Sequence, residues 1–150
     1  MKYGIYYAYW EKEWNGDYKY YIDKISKLGF DILEISCGAF SDYYTKDQEL
    51  IDIGKYAKEK GVTLTAGYGP HFNESLSSSE PNTQKQAISF WKETLRKLKL
   101  MDIHIVGGAL YGYWPVDYSK PFDKKRDLEN SIKNMKIISQ YAEEYDIMMG

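Results

Sequence analysis

Cysteine occurs once in this sequence, as Cys37, among 150 residues that hold only two histidines and four prolines. A single cysteine excludes an internal disulfide and points to a reducing compartment, so a bacterial-type cytoplasmic protein is expected. A basic excess is missing as well: 20 Lys and Arg stand against 22 Asp and Glu, a formal net charge of −2. That balance argues against a nucleic-acid partner, which needs a clustered positive footprint. No apolar run approaches the ~20 residues needed to span a bilayer, so no membrane partner is expected. The start, MKYGIYYAYW, lacks the long apolar stretch and small-residue cleavage site of a signal peptide. Neither G-x-G-x-x-G nor a Walker A motif occurs, which removes the common phosphate-cradling signatures. No Pro/Gly/Ser-rich linker and no change of composition marks a boundary, so residues 1–150 read as belonging to one domain.

What is abundant is aromatic: 16 Tyr, 5 Phe and 4 Trp. Such rings offer flat apolar faces with polar tips, which suits sugar binding and, more commonly, ordinary packing. Along the chain, short β-type runs alternate with longer helical ones. Tyr3 to Trp10 reads as a strand. In DYKYYIDKISKLG, Tyr18, Tyr21, Ile22, Ile25 and Leu28 then recur at helical spacing before Gly29. Phe30 to Phe40 reads as a second strand, about Lys46 to Lys60 as a helix closed by Gly61, and Val62 to Pro70 as a third strand. After the loop HFNESLSSSEPN a helix opens at Ser79 or Glu80 and runs to about Leu100. Met101 to Leu110 is expected as the fourth strand. The aromatic connection YGYWPVDYSKPFDKKRD leads to a helix from about Leu128 to Tyr145, and DIMMG reads as the opening of a fifth strand.

Alternation of this kind implies a parallel sheet covered by helices. A doubly wound sheet would carry a ligand signature after an early strand, and none is present. A TIM-type (β/α)8 barrel places functional side chains at strand C-termini. Those ends, Tyr6–Trp10, Glu34–Cys37, Ala66–Gly69 and Gly107–Tyr111, are rich in glycine and aromatics, like the rim of a small-molecule cavity. A whole barrel needs ~250 residues. The expected fold class is therefore α/β, with about four βα units and the start of strand five, one half of a barrel domain.

Alternation through Trp10 would put Tyr7 and Tyr9 on one face, read as core, and Tyr6, Ala8 and Trp10 on the other. Tyr6 and Trp14 fit a ligand role or a packing role equally well. Glu34 is the acidic residue inside an apolar strand run. A buried carboxylate is costly unless paired, so it either faces the cavity mouth or has a designated partner, and structural support is the preferred reading. His104, in the interior of the fourth strand, reads as a satisfied core residue, and His71 as solvated. Asp102 and Asp117 add no ligand to the rim, so no metal site of three or four converging ligands is expected within the chain. In GGALYGYWP, Gly107 and Gly108 permit close backbone approach and Ala109 keeps the rim open. Tyr111, Tyr113 and Trp114 supply aromatic faces suited to a carbohydrate, and Pro115 stiffens the turn.

At GIYYAYW with the following Glu13–Trp14, at LGFDILEI and at DIHIVGGALYGYWPVDY, the sequence closely resembles the D-psicose (D-allulose) 3-epimerases of the ketose 3-epimerase (D-tagatose 3-epimerase) family, over its whole length. The resemblance implies a (β/α)8 barrel that interconverts D-fructose and D-psicose by proton exchange at carbon 3 between two glutamates. It also implies a divalent metal, Mn or Co, that holds the ketose oxygens and stabilises an enediolate. Both glutamates and the other metal ligands belong to later strands, the first to strand five just beyond residue 150. No catalytic or metal-binding residue is therefore expected in this chain. By matching motifs, Tyr6, Trp14, Tyr68, Ala109 and Trp114 are expected to wall the sugar's distal carbons, with Glu34 as support.

The partners implied are a ketohexose substrate, a missing C-terminal half-barrel and further subunits of a homo-oligomer. The isolated chain is expected to be inactive. With open sheet edges, it should be poorly soluble, pair through those edges, or need its other half. Two other readings stay open: a non-catalytic half-barrel that binds sugar weakly or self-associates, and another enzyme of the same barrel class, such as an aldose isomerase or phosphate-ester hydrolase. The aromatic rim and the lack of a phosphate-binding stretch argue against a phosphorylated substrate.

Overall fold

Asp17 starts the first helix by accepting hydrogen bonds from the backbone N–H groups of Lys19 and Tyr20, two of the donors a helix leaves unpaired at its start. That helix, α1, spans Tyr18–Leu28, and Gly29 closes it at φ 81°, a left-handed cap that glycine adopts without steric cost. The computed structural model describes residues 1–14, 16–119 and 122–150, without the side chains of Ser41 and Asp42. It contains the short α2 (Ala39–Asp42), then α3 (Asp47–Glu59), α4 (Pro81–Leu100) and α5 (Lys124–Glu144). Among the described residues five strands alternate with these helices: β1 (Gly4–Tyr6), β2 (Ile32–Ser36), β3 (Thr63–Tyr68), β4 (Ile105–Gly108) and β5 (Met148–Met149).

The strands form one parallel sheet in the order β1-β2-β3-β4-β5. Sequential order without a reversal excludes the doubly wound alternative, whose strand order turns back at a switch point. Register decides what each face carries. Leu33 pairs with Leu64, and Ile35, Ala66 and Val106 lie abreast, all buried. They pack beneath Ile22 and Ile25 of α1, Leu50 and Ile53 of α3, and Trp91, Leu95 and Leu98 of α4. The opposite face carries Tyr6, Glu34 and Thr65 in one row and Ser36, Gly67 and Gly107 in the next. Ile105 and Met148 on that face are at least half exposed. Among the described residues β1 and β5 each pair along one side only, and no helix is long and apolar enough to cross a membrane.

Besides β2, which ends at Ser36 instead of Phe40 and is followed by helical Ala39–Asp42, three boundaries differ from the sequence reading. β1 ends at Tyr6, and Tyr7–Tyr9 wind into a 3₁₀ turn. The period-two argument stops there, so Tyr7 is fully buried while Tyr9 is 76 % exposed, not the second core residue its spacing from Tyr7 had suggested. α5 begins at Lys124, four residues earlier than expected, because Asp123 caps it by accepting from the Arg126 N–H. Lys120 and Pro121 of the aromatic connection lie outside the described residues.

The third correction concerns His104. Met101 and Asp102 close α4, Asp102 at φ 60°, and β4 starts only at Ile105, which places His104 ahead of the strand and half exposed instead of in a core. Its Nδ1 lies 2.8 Å from the Asp146 carbonyl and its Nε2 3.1 Å from Asp102 Oδ1. Asp146 also adopts a left-handed φ, 56°, a conformation aspartate tolerates better than most residues. The two turns that precede β4 and β5 thus converge on one imidazole.

Two predictions follow from these contacts. Asp123→Ala should lower stability by about 1 kcal/mol, read from urea unfolding, because the cap is lost. A helix that began at Leu128 would not register the change. For His104, the Asp146 carbonyl and then Asp102 raise the pKa above its ordinary 6.5, with nearby Lys99 opposing. The bond to a carbonyl requires a donor at Nδ1, and the bond to a carboxylate favours a donor at Nε2, so both favour the protonated ring. A raised pKa gives stability that is full below pH ~6.5 and is lost as pH rises through the folded value. The melting-temperature gap between the parent chain and His104→Gln should therefore shrink from pH 5.5 to 8.5. A gap independent of pH would contradict the charged clasp.

Candidate functional site

The sheet's unpacked face and the C-terminal strand ends bring chemistry-bearing side chains together. Tyr6 ends β1 with its ring centroid 6.3 Å from that of Trp14. Trp14 is 63 % exposed, held from below by the Tyr7 hydroxyl, which donates to the Trp14 carbonyl at 2.9 Å. Tyr7 is itself wedged edge-on against Tyr6 and Tyr18, each at 5.2 Å, so the buried ring positions the exposed one. Burial pushes the pKa of the Tyr6 hydroxyl up, with the neighbouring Ser36 side chain opposing it.

Beside Tyr6 in register stands Glu34. Its carboxylate is half-buried, and desolvation raises its pKa. No hydrogen bond or ion pair reaches it among the described residues. The carboxylate rises into the row above its own. A Cβ on Gly67 would stand 2.8 Å from Glu34 Oε1, so the missing side chain at 67 is the space the carboxylate occupies. Of the two alternatives the sequence left for Glu34, a designated partner or an open face, the second describes its surroundings.

On the β4 side, Ala109 donates its N–H to the Tyr68 carbonyl at 3.1 Å, and Gly108 holds φ 119° so close to that carbonyl that a Cβ would collide with it. The aromatic connection then folds back over β3. The Trp114 N–H bonds the Pro70 carbonyl at 2.8 Å, and its Cβ lies over Gly69. The Trp114–Pro115 peptide is cis. Tyr113 packs edge-on against Phe72 at 5.1 Å. Ala109 and Trp114 help line an open cleft of about 1040 Å³ whose walls include Phe72, Tyr111, Tyr118 and Phe122.

Of the five residues expected to wall a sugar, the fold pairs Tyr6 with Trp14 and Ala109 with Trp114. It sets Tyr68 apart. That ring stacks on Phe90 at 5.1 Å and meets Trp91 edge-on at 6.0 Å, on the helical side of the sheet, and its hydroxyl donates to Glu74 at 2.6 Å. Glu74 also accepts from the backbone N–H of His71, an exposed residue. Ser36, Gly67 and Glu74 were missed in the sequence. Period-two spacing from Glu34 would have found Ser36, but register with a neighbouring strand was needed for Gly67. Among the described residues no three His, Cys, Asp or Glu side chains converge in a way that could hold a metal ion, so the residues present do not fit one.

Comparison with known proteins places this geometry. The chain is 55 % identical over 150 residues to a D-psicose 3-epimerase of Enterocloster bolteae, covering 100 % of this chain and 50 % of the relative. It is 42 % identical over 147 residues to one of Agrobacterium fabrum, covering 98 % and 50 %. The crystal structure of D-psicose 3-epimerase with D-tagatose from Clostridium cellulolyticum H10 superposes with a TM-score of 0.96 at 46 % identity, over 99 % of this chain and 51 % of that one. The chain thus spans about half the length of the relatives it matches. A family model described as xylose isomerase-like TIM barrel matches residues 22–150, and with the sequential parallel sheet and glycine- and aromatic-rich rim found here, the chain belongs to that family.

Proposed function

We propose that the chain is the sugar-binding half of a ketose 3-epimerase that interconverts D-fructose and D-psicose. The observation that carries this reading is the likeness to D-psicose 3-epimerases along the entire chain. On this reading residues 1–150 are one part of a single (β/α)8 domain completed by a further set of strands and helices. Tyr6, Trp14, Ala109 and Trp114 wall the distal carbons of the ketose, resting its C–H face on aromatic rings. Tyr68 backs that wall from the helical side through its bond to Glu74.

The residues at the strand ends bind and orient the sugar and exclude water from one side of it. Proton exchange at carbon 3 falls to two glutamates outside these residues. A Mn or Co ion held there would supply Lewis-acid stabilisation of the developing charge. The lone cysteine, buried and pushed up in pKa by that burial, fits a cytoplasmic setting. The aromatic cleft fits a homo-oligomer, since Tyr118 and Phe122 there are 83 % and 71 % exposed.

A second reading is a non-catalytic half-barrel that binds sugar weakly or pairs with its own kind.

The test is D-fructose epimerisation with Mn(II) or Co(II) supplied, by the chain alone and by the chain joined to the complementary half of the Enterocloster bolteae relative. The chain alone should give no D-psicose and the joined protein should give it. Conversion by the chain alone would move the chemistry into these residues. A folded joined protein without activity would favour the non-catalytic reading.

A further inference from the structure

Glu34 is the feature of the site that the proposed wall leaves unexplained. Its carboxylate is half-buried on the unpacked face of the sheet, abreast of Tyr6 and Thr65. On the same face Ser36 Oγ accepts from the Gly38 N–H at 3.3 Å, and among the described residues neither Tyr6, Ser36 nor Thr65 donates a hydrogen bond to the carboxylate. No Lys or Arg pairs with it among the described residues. A carboxylate used as internal support would be expected to show the bond it makes, because leaving its lone pairs unmet costs more than an ordinary hydrogen bond returns. Glu34 instead projects past its own row into the space that Gly67 leaves empty, level with the strand ends. There it faces the same side of the sheet as the Tyr6 ring, with Trp14 just beyond. An acceptor-only group next to aromatic faces matches a neutral polyol, whose hydroxyls donate while its C–H groups lie on the rings.

We propose that Glu34 is a sugar-contacting, specificity-determining residue: its carboxylate accepts hydrogen bonds from ketose hydroxyl groups and fixes the orientation of the sugar on the Tyr6–Trp14 face. This rests on the sugar-binding reading above. It assigns Glu34 a direct role in recognition in place of structural support. Gly67 is part of the device, since a side chain there would push the carboxylate away from the strand ends.

Saturation-transfer NMR titration of D-psicose, and of its 4-, 5- and 6-deoxy analogues, into the chain, Glu34→Gln and Glu34→Ala tests this, with thermal melts of each variant alongside. Glu34→Ala should weaken D-psicose binding about tenfold or more, and Glu34→Gln by a smaller factor, as expected for a hydrogen bond to a charged acceptor. One deoxy analogue should bind the parent chain weakly, and Glu34→Gln should weaken that analogue no further, because the two changes remove the same bond. Should Glu34→Ala fail to fold, the near-isosteric Glu34→Gln decides. The proposal is overturned if folded variants bind D-psicose with the parent's Kd, or if Glu34→Gln weakens all the analogues as much as D-psicose. If the parent chain alone does not bind D-psicose, the same titration is made on the chain joined to the complementary half of the Enterocloster bolteae relative, and no binding there either overturns the sugar-binding reading and the role of Glu34 with it.

Discussion

The parallel hydrogen-bonded register of five successive strands is the constraint on which the rest depends. A parallel strand must be reached by a crossover, and crossovers of one hand deposit every helix on the same side when the strand order never reverses. One face of the sheet is thereby buried beneath α1, α3 and α4, and the other is left without a helical cover. Because register partners in a parallel sheet point the same way, Leu33 and Leu64 join the core together. By the same rule Tyr6, Glu34 and Thr65 emerge together on the other side. The site is a consequence of parity as much as of residue choice.

Core and site are also coupled through single side chains. Tyr7 is wholly buried, yet its hydroxyl holds the backbone beneath Trp14, so packing energy in the core is converted into placement at the surface. Gly108 works similarly: its left-handed φ lets β4 leave the sheet against the Tyr68 carbonyl and sets the direction in which Ala109 and the aromatic connection depart. Opposite the site, His104 ties together the turns that launch β4 and β5. The rim with its exposed rings and the end tied by His104 are thus separated along the strands, as expected in barrel folds.

Carboxylates show how environment, not identity, assigns a role. Asp17 and Asp123 sit at helix starts, where backbone donors are available, and they cap. Glu74 receives a tyrosine hydroxyl and a backbone N–H and serves as a brace. Glu34 has the same acceptor chemistry in a half-buried position where, among the described residues, no donor reaches it. An unmet acceptor at a strand end, beside exposed rings, is a different physical object from a capped one.

The alternation of strands and helices, the parallel sheet and most of the core were legible in the sequence, because helical spacing in 18–28 and apolar runs such as Ile32–Ile35 are local signals. The position of Tyr6 at a strand end and of Ala109 just past one was legible too, since the apolar runs and glycines that bound β1 and β4 are local signals. Tertiary structure decided what local spacing could not. The 3₁₀ turn after Tyr6 separated Tyr7 from Tyr9, Asp123 moved a helix start, and the α4 turn pushed His104 out of the strand. Tyr68 shares the helical face with Leu64 and Ala66 by alternation along β3, a placement period-two spacing could have given, whereas register with Gly67 gave Glu34 its room. The division has one physical reason. Periodicity reports which residues share a face, but which donors and which empty volumes surround a side chain is settled only when neighbouring strands and helices are brought against it.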